Sequence, residues 1–126
     1  MNVKKQYLSI LQLKKGDEKK FLFLSKKYLG EILKKKVSKE KNILNYKKIQ
    51  NNRGKIFWIL KRNSKIGFVV IYINNHLGKK KKNCYIRDLY IKENYRLKEF
   101  AKIAVSKIIE YALKKKLYFI KIDILN

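Results

Sequence analysis

The feature that most restricts the fold is a pair of apolar runs, IFWIL (Ile56–Leu60) and IGFVVIYI (Ile66–Ile73), separated by little more than the polar turn RNSK (Arg62–Lys65). Both runs are rich in β-branched and aromatic residues, and two such runs joined by a short polar turn form a β-hairpin. Neither run alternates apolar with polar residues. A strand that is apolar on both sides has to be covered on both faces, so helices are expected on each side of the sheet.

The flanking segments supply those helices. Gln6–Leu13 reads as a first strand, after which Gly16 breaks the pattern and Asp17 is placed to cap a helix. Phe21, Leu24, Tyr28, Ile32 and their neighbours then recur at helical spacing, giving one buried face. Ser38 is placed to cap a second helix with Glu40 in its first turn, and Ile43, Leu44, Tyr46 and Ile49 give that helix a thin apolar stripe. Asn51–Gly54 reads as a loop before the hairpin, and Asn74–Asn83 as a polar loop after it. CYIRDLYI (Cys84–Ile91) is the next strand. A helix with a wide apolar face follows from Phe100 to Leu113, and LYFIKIDIL (Leu117–Leu125) is the last strand. The order is β-α-α-β-β-β-α-β, an α/β (α+β) arrangement with a mixed sheet in one domain over residues 1–126. Its final strand–helix–strand unit demands a parallel pair.

Charge narrows the partners less than it first promises. The net charge is +25, which invites a nucleic-acid reading. Of 34 basic residues, however, only Arg53, Arg62, Arg87 and Arg96 are arginine. Base reading and planar phosphate contacts favour arginine over lysine. Abundant Lys, Ile, Asn, Tyr and Phe with no proline is what A/T-rich codons give. Weak, sequence-blind nucleic-acid binding through lysines is therefore the expectation. Cys84 is the one cysteine, so no internal disulfide is possible and a buried small hydrophobe is its better reading. His76 is the one histidine and has no companion for a metal site or a catalytic triad. No apolar run reaches the roughly 20 residues of a membrane span, and no signal peptide is visible, so a cytoplasmic location is expected.

The stretch that carries chemistry is Ile86–Ala112. A strand ends, a short polar turn follows, and a helix begins with Arg96, Lys98 and Lys102 around its first turns. Free backbone N–H groups and the dipole at a helix N-terminus attract anions. On spacing alone, an ordinary crossover with solvated lysines is an equal reading.

RDLYI (Arg87–Ile91) followed by YRLKEFAKIAV (Tyr95–Val105) resembles the strand–turn–helix motif of the GNAT family of N-acetyltransferases, and more loosely its polyamine and small-amine branch. The resemblance covers Ile56–Asn126. It implies the family fold and transfer of an acetyl group from acetyl-CoA to an amine on a small molecule or protein, with no metal. The backbone of Leu89, Tyr90 and Ile91 would pair with the pantetheine arm. The pyrophosphate would sit on the amides of the segment Arg96, Leu97, Lys98, Glu99, Ala101 and Lys102. Asp88 matches an acidic residue that faces the amine, where a carboxylate orients a cationic amine or accepts its proton. The alternative for Asp88 is a carboxylate paired with Arg87 or a nearby lysine.

The chain departs from the family pattern in three places. Glu99 stands where the first glycine of R-x-x-G-x-G/A belongs, and Ala101 stands where glycine or alanine belongs. A like charge at about 4 Å from a phosphate costs on the order of 1–4 kcal/mol. Glycine at position 99 is expected to tighten CoA binding while costing up to about 1 kcal/mol of helix stability. Arg87 replaces the acid that often precedes the strand's aspartate. The chain stops at Asn126, before the helix and strand pair with which the family usually continues. These departures leave open a second function, a catalytically degenerate binding protein whose lysines hold nucleic acid or an acidic protein. The last strand carries apolar groups on both faces and is expected to pair with a second copy, giving a homodimer, unless Lys121 and Asp123 protect its edge.

Overall fold

The computed structural model describes residues 8–75, 82–96, 99–117 and 119–122. Its elements run β1 (Leu8–Gln12), α1 (Glu18–Leu33), α2 (Lys39–Asn51), β2 (Lys55–Lys61), β3 (Ser64–Asn75), β4 (Lys82–Ile91), a 3-10 turn (Glu93–Tyr95), α3 (Phe100–Lys114) and β5 (Phe119–Ile122). The order matches the one expected from sequence. The five strands form one sheet in the order β1-β2-β3-β4-β5, antiparallel from β1 to β4 and parallel between β4 and β5. α3 makes the crossover that the parallel pair requires.

The hairpin turn is tighter than the four polar residues suggested. Lys61 pairs with Ser64, leaving Arg62 and Asn63 as the turn, with Arg62 in the left-handed region at φ 56°. The expected Asn74–Asn83 loop is shorter too, because Asn74 pairs with Asn83 and Asn75 with Lys82. Backbone pairing continues there after the apolar side chains have stopped. His76 and Asp123–Leu125 lie outside the described residues.

Both faces of the sheet are covered, as the continuous apolar runs require. On one side α3 packs Ile103, Ala104, Ile108 and Ala112 against Phe57, Ile59, Val69, Ile71, Cys84 and Ile86. On the other, Phe21, Leu24 and Tyr28 of α1 and Ile49 of α2 pack against Ile56, Trp58, Phe68, Val70, Tyr72 and Tyr90. Cys84 and Trp58 are fully buried core residues, as expected. Of the four apolar residues read along α2, only Ile49 is buried, and Leu44 is 64% exposed.

Asp17 holds the N-cap position of α1 without capping it. Its carboxylate instead accepts from the Lys14 backbone N–H at 3.0 Å and the Trp58 indole N–H at 3.2 Å. Those bonds hold its carboxyl below the ordinary carboxylate value. A buried indole N–H needs an acceptor, and that requirement outranks the helix end. Ser38 does cap α2, accepting from the Lys41 N–H at 3.1 Å.

Two β-bulges set the phase of the central strands. Ile59 pairs with Gly67 and Leu60 with Lys65, so Ile66 is an extra residue in β3. Val70 pairs with Asp88 and Ile71 with Ile86, so Arg87 is an extra residue in β4. An extra residue shifts the alternation by one and exchanges the faces of everything beyond it. Cys84 and Ile86 face α3 before the bulge; Leu89 and Ile91 do so after it. Asp88 and Tyr90 are thereby turned to the α1 face, where uninterrupted alternation would have aimed them at α3. Gly67 sits opposite Ile91, and a Cβ there would fall on the Tyr90 carbonyl, so only glycine lets β3 approach β4 this closely.

Candidate active site on strand β4

The bulge places a cluster of polar tips among aromatic rings. The Tyr28 hydroxyl donates to Asp88 Oδ1 at 2.7 Å across a separation of 60 residues. Arg87 brings its Nε to 4.0 Å from Asp88 Oδ2 and donates from Nη1 to the Tyr72 hydroxyl at 2.6 Å. The pairing of Asp88 with Arg87 weighed from sequence is therefore present, but the shorter bond comes from Tyr28. Burial first, and then the neighbouring Asp88 carboxylate, push the Tyr28 phenol far above its ordinary value. Tyr28 consequently stays a hydrogen-bond donor at any ordinary pH. Only 17% of the Asp88 side chain remains exposed. The rings of Tyr28, Phe68 and Tyr90 pack edge-on or tilted with centroids 5.5–5.9 Å apart and wall the site on the α1 side.

Tyr28 and Tyr72 were missed as site residues because both read as members of apolar runs. One signal was available. A tyrosine on the buried face of a helix needs a partner for its hydroxyl, and Asp88 is an acid inside a core strand.

Leu89, Tyr90 and Ile91 form the strand segment beyond the bulge, half-buried or buried. The described pairing of β4 with β5 runs from Asn83↔Phe119 to Ile86↔Ile122 and so ends one residue before the bulge. Arg96 donates from Nε to the Ile91 carbonyl at 2.7 Å and from Nη2 to Glu31 of α1 at 2.7 Å, with its guanidinium over the Tyr90 ring. Its side chain thus clips the β4–α3 connection to α1. Leu97 and Lys98 lie outside the described residues. Ala101 and Lys102 are exposed in the first turn of α3, where backbone N–H groups have no intrahelical acceptor.

Glu99 differs from its expected setting. It precedes α3 rather than lying in a helical turn, is exposed, makes no side-chain cap, and has φ 62°. That is the left-handed conformation that suits glycine. Glu99 holds a conformation that glycine adopts without strain, at a cost of about 1 kcal/mol, and the helix penalty expected for glycine does not apply. Among the described residues, no three His, Cys, Asp or Glu side chains come together to hold a metal. No helix among them is long and apolar enough to cross a membrane.

A broad groove of about 960 Å3 opens beside this cluster, between the C-terminal half of α1 and the segment after β4. Tyr90 lies at its floor and Lys92, Glu93 and Asn94 along one side.

Comparison with known proteins gives this geometry a family. The model of the acetyltransferase (GNAT) family matches residues 23–126. No curated protein matches the sequence. Among solved structures, an aminoglycoside acetyltransferase from an uncultured soil metagenomic sample, in complex with sisomicin, superposes with a TM-score of 0.73 at 20% identity, covering 93% of this chain and 77% of that one. A ribosomal-protein-alanine N-acetyltransferase from Brucella melitensis biovar Abortus gives 0.75 at 16% identity, covering 94% and 81%. A GNAT family acetyltransferase from Staphylococcus aureus gives 0.72 at 17%, covering 95% and 88%. Likeness at such low identity establishes the fold, and the family match over most of the chain establishes descent: this chain belongs to the GNAT family of acetyltransferases.

Proposed function

We propose that the protein transfers an acetyl group from acetyl-CoA to an amine, with Asp88 as the residue that receives the amine. The observation that carries this reading is the bulge at Arg87. It turns Asp88 onto the α1 face, within 2.7 Å of the Tyr28 hydroxyl, at the start of the segment Leu89–Ile91 that leads to α3.

The residues present fit an acyl-CoA donor in one specific respect. Glu99 takes a left-handed turn open to glycine, at the start of a helix whose first-turn N–H groups have no intrahelical acceptor. Ala101 and Lys102 would hold the pyrophosphate, and the backbone of Leu89, Tyr90 and Ile91 the pantetheine arm. Bound there, acetyl-CoA supplies an acyl group activated as a thioester. The chain's own groups do the rest. Asp88 binds the acceptor as an ammonium and takes its proton, releasing the neutral amine that can attack a carbonyl. Tyr28 fixes the carboxylate by donating to one oxygen, and the aromatic wall around it keeps water away from the exchange.

A thermal-shift titration with acetyl-CoA tests the donor site. At 100 times the dissociation constant the fold should gain about 2.7 kcal/mol. No shift at millimolar acetyl-CoA, with the protein shown to be folded, overturns the reading. Mass spectrometry of an amine panel incubated with acetyl-CoA then tests transfer, and Asp88→Asn should abolish it while leaving the shift in place. The homodimer expected from the β5 edge is a separate proposal, and a 15.2 kDa species at sedimentation equilibrium would refute it.

A further inference from the structure

The wall that holds Asp88 continues into the large groove. Tyr28 donates to Asp88, its ring meets Tyr90 at 5.9 Å, and Tyr90 is the groove's floor. Beyond Tyr90 the lining is cationic. Lys26, Lys27, Lys35, Lys36 and Lys92 border the groove against two acids, Glu31 and Glu93. Glu31 is already matched by the Arg96 guanidinium at 2.7 Å. Asp88 is not part of the groove lining but stands two residues from Tyr90 on the same face of β4, so an acceptor whose amine sits at Asp88 and whose body extends past Tyr90 enters a field of ammonium groups. A polycation is repelled by that field, whereas an acceptor with negative charge beyond its amine is held at both ends.

The size of the surface argues for a chain rather than a metabolite. Phe23, 63% exposed with the Lys27 ammonium 4.5 Å above its ring, separates this groove from a second of about 360 Å3 that also borders on Lys92. Lys19, Lys20 and Lys65 line the second groove over the Trp58 ring. Together the two exceed the roughly 300–1,000 Å3 of a small-molecule pocket, and eight lysines border them against Glu31 and Glu93.

We propose that the acceptor is an acidic peptide, its free amine at Asp88 and its carboxylates along the lysines of the α1 groove. This rests on the acetyltransferase reading above. It separates this chain's substrate from a polycationic aminoglycoside by charge alone.

The test uses short peptides of equal length with a free N-terminal amine, followed by glutamates, by neutral residues or by lysines. The glutamate peptide should be acetylated with kcat/KM at least tenfold above the lysine peptide, through KM, and the ratio should shrink as salt rises. Charge reversal in the groove, Lys26→Glu with Lys36→Glu, should raise KM for the glutamate peptide about tenfold and leave kcat unchanged. The same two charges reversed elsewhere, at the exposed Lys41 and Lys114, should leave KM unchanged. That control separates the groove from the overall +25. Equal rates for the three peptides, a preference for the lysine peptide, or the same loss from either pair of reversals overturns the proposal. An N-blocked glutamate peptide, titrated by fluorescence, reads binding without transfer. Groove-dependent binding with no acetylation of any peptide would sink the acetyltransferase reading and leave the cationic groove's preference for acidic peptides standing; acetylation without charge preference would do the reverse.

Discussion

The two faces of the sheet are built from different chemistry. The face under α3 is largely aliphatic: Ile103, Ala104, Ile108 and Ala112 meet Ile59, Val69, Ile71 and Ile86, with the partly buried Tyr111 packed on Phe57. The face under α1 and α2 is built from Phe21, Tyr28, Trp58, Phe68, Tyr72 and Tyr90, and its polar tips bond to Asp17, Asp88 and Arg87. Aliphatic packing stabilises in proportion to area and is indifferent to direction. Aromatic side chains with polar ends bury a comparable area but fix where a charge sits. Both faces therefore carry stability, but only the α1 face also positions the Asp88 carboxylate.

Substitutions can break that division. Ile108→Ala, in the aliphatic face, should have the largest effect on stability, about 2–5 kcal/mol in denaturant unfolding. Activity per folded molecule should be unchanged, and a loss of activity at full folding would show that the faces are not separable. Tyr28→Phe should cost less, about 1–3 kcal/mol, because it removes one partner of a part-buried carboxylate. Its signature is different: acetyl transfer should fall more than stability does, with the acetyl-CoA thermal shift preserved.

The pH dependence sharpens the contrast. Burial raises the phenols of Tyr28, Tyr46, Tyr90 and Tyr111 above 10.0. A folded state that binds these protons more tightly than the unfolded chain loses stability as pH climbs past the ordinary phenol value. Unfolding midpoints measured from about pH 9 to 11, bracketing that value, should decline for the wild type and decline less steeply for Tyr28→Phe, since Tyr28 is the most strongly shifted. Glu99→Gly should have the smallest effect on stability, and in the opposite direction. Relief of the left-handed strain should stabilise the fold by about 1 kcal/mol. Loss of a carboxylate beside the proposed pyrophosphate site should tighten CoA in calorimetric titration, and equal or weaker affinity would show that Glu99 does not face the phosphates.

Much of the fold was legible in the chain. IFWIL and IGFVVIYI demanded a hairpin with both faces covered, and helical spacing placed α1 and α3. The crossover rule then fixed β5 parallel to β4. The site was legible only in part. RDLYI and YRLKEFA marked β4 and the α3 entry, and Asp88 was named from them, but its closest partner, Tyr28, was read as core.

What the sequence alone determined was therefore the order of elements and the family, because local period, turn residues and a contiguous motif act over short stretches of chain. Tertiary structure decided which side of the sheet each residue of the apolar strands faces. A run such as IGFVVIYI is apolar at every position and carries no phase, so nothing in it reveals the extra residue at Ile66. In CYIRDLYI the extra residue at Arg87 could not be foreseen for a related reason: the residues flanking the Arg87–Asp88 pair, Tyr85 and Ile86 before it and Leu89 and Tyr90 after it, are apolar or aromatic and suit either face. Only packing against two unlike layers, with Asp88 bonded to a tyrosine 60 residues away and Gly67 pressed against the Tyr90 carbonyl, fixed the bulge and with it the direction of the carboxylate.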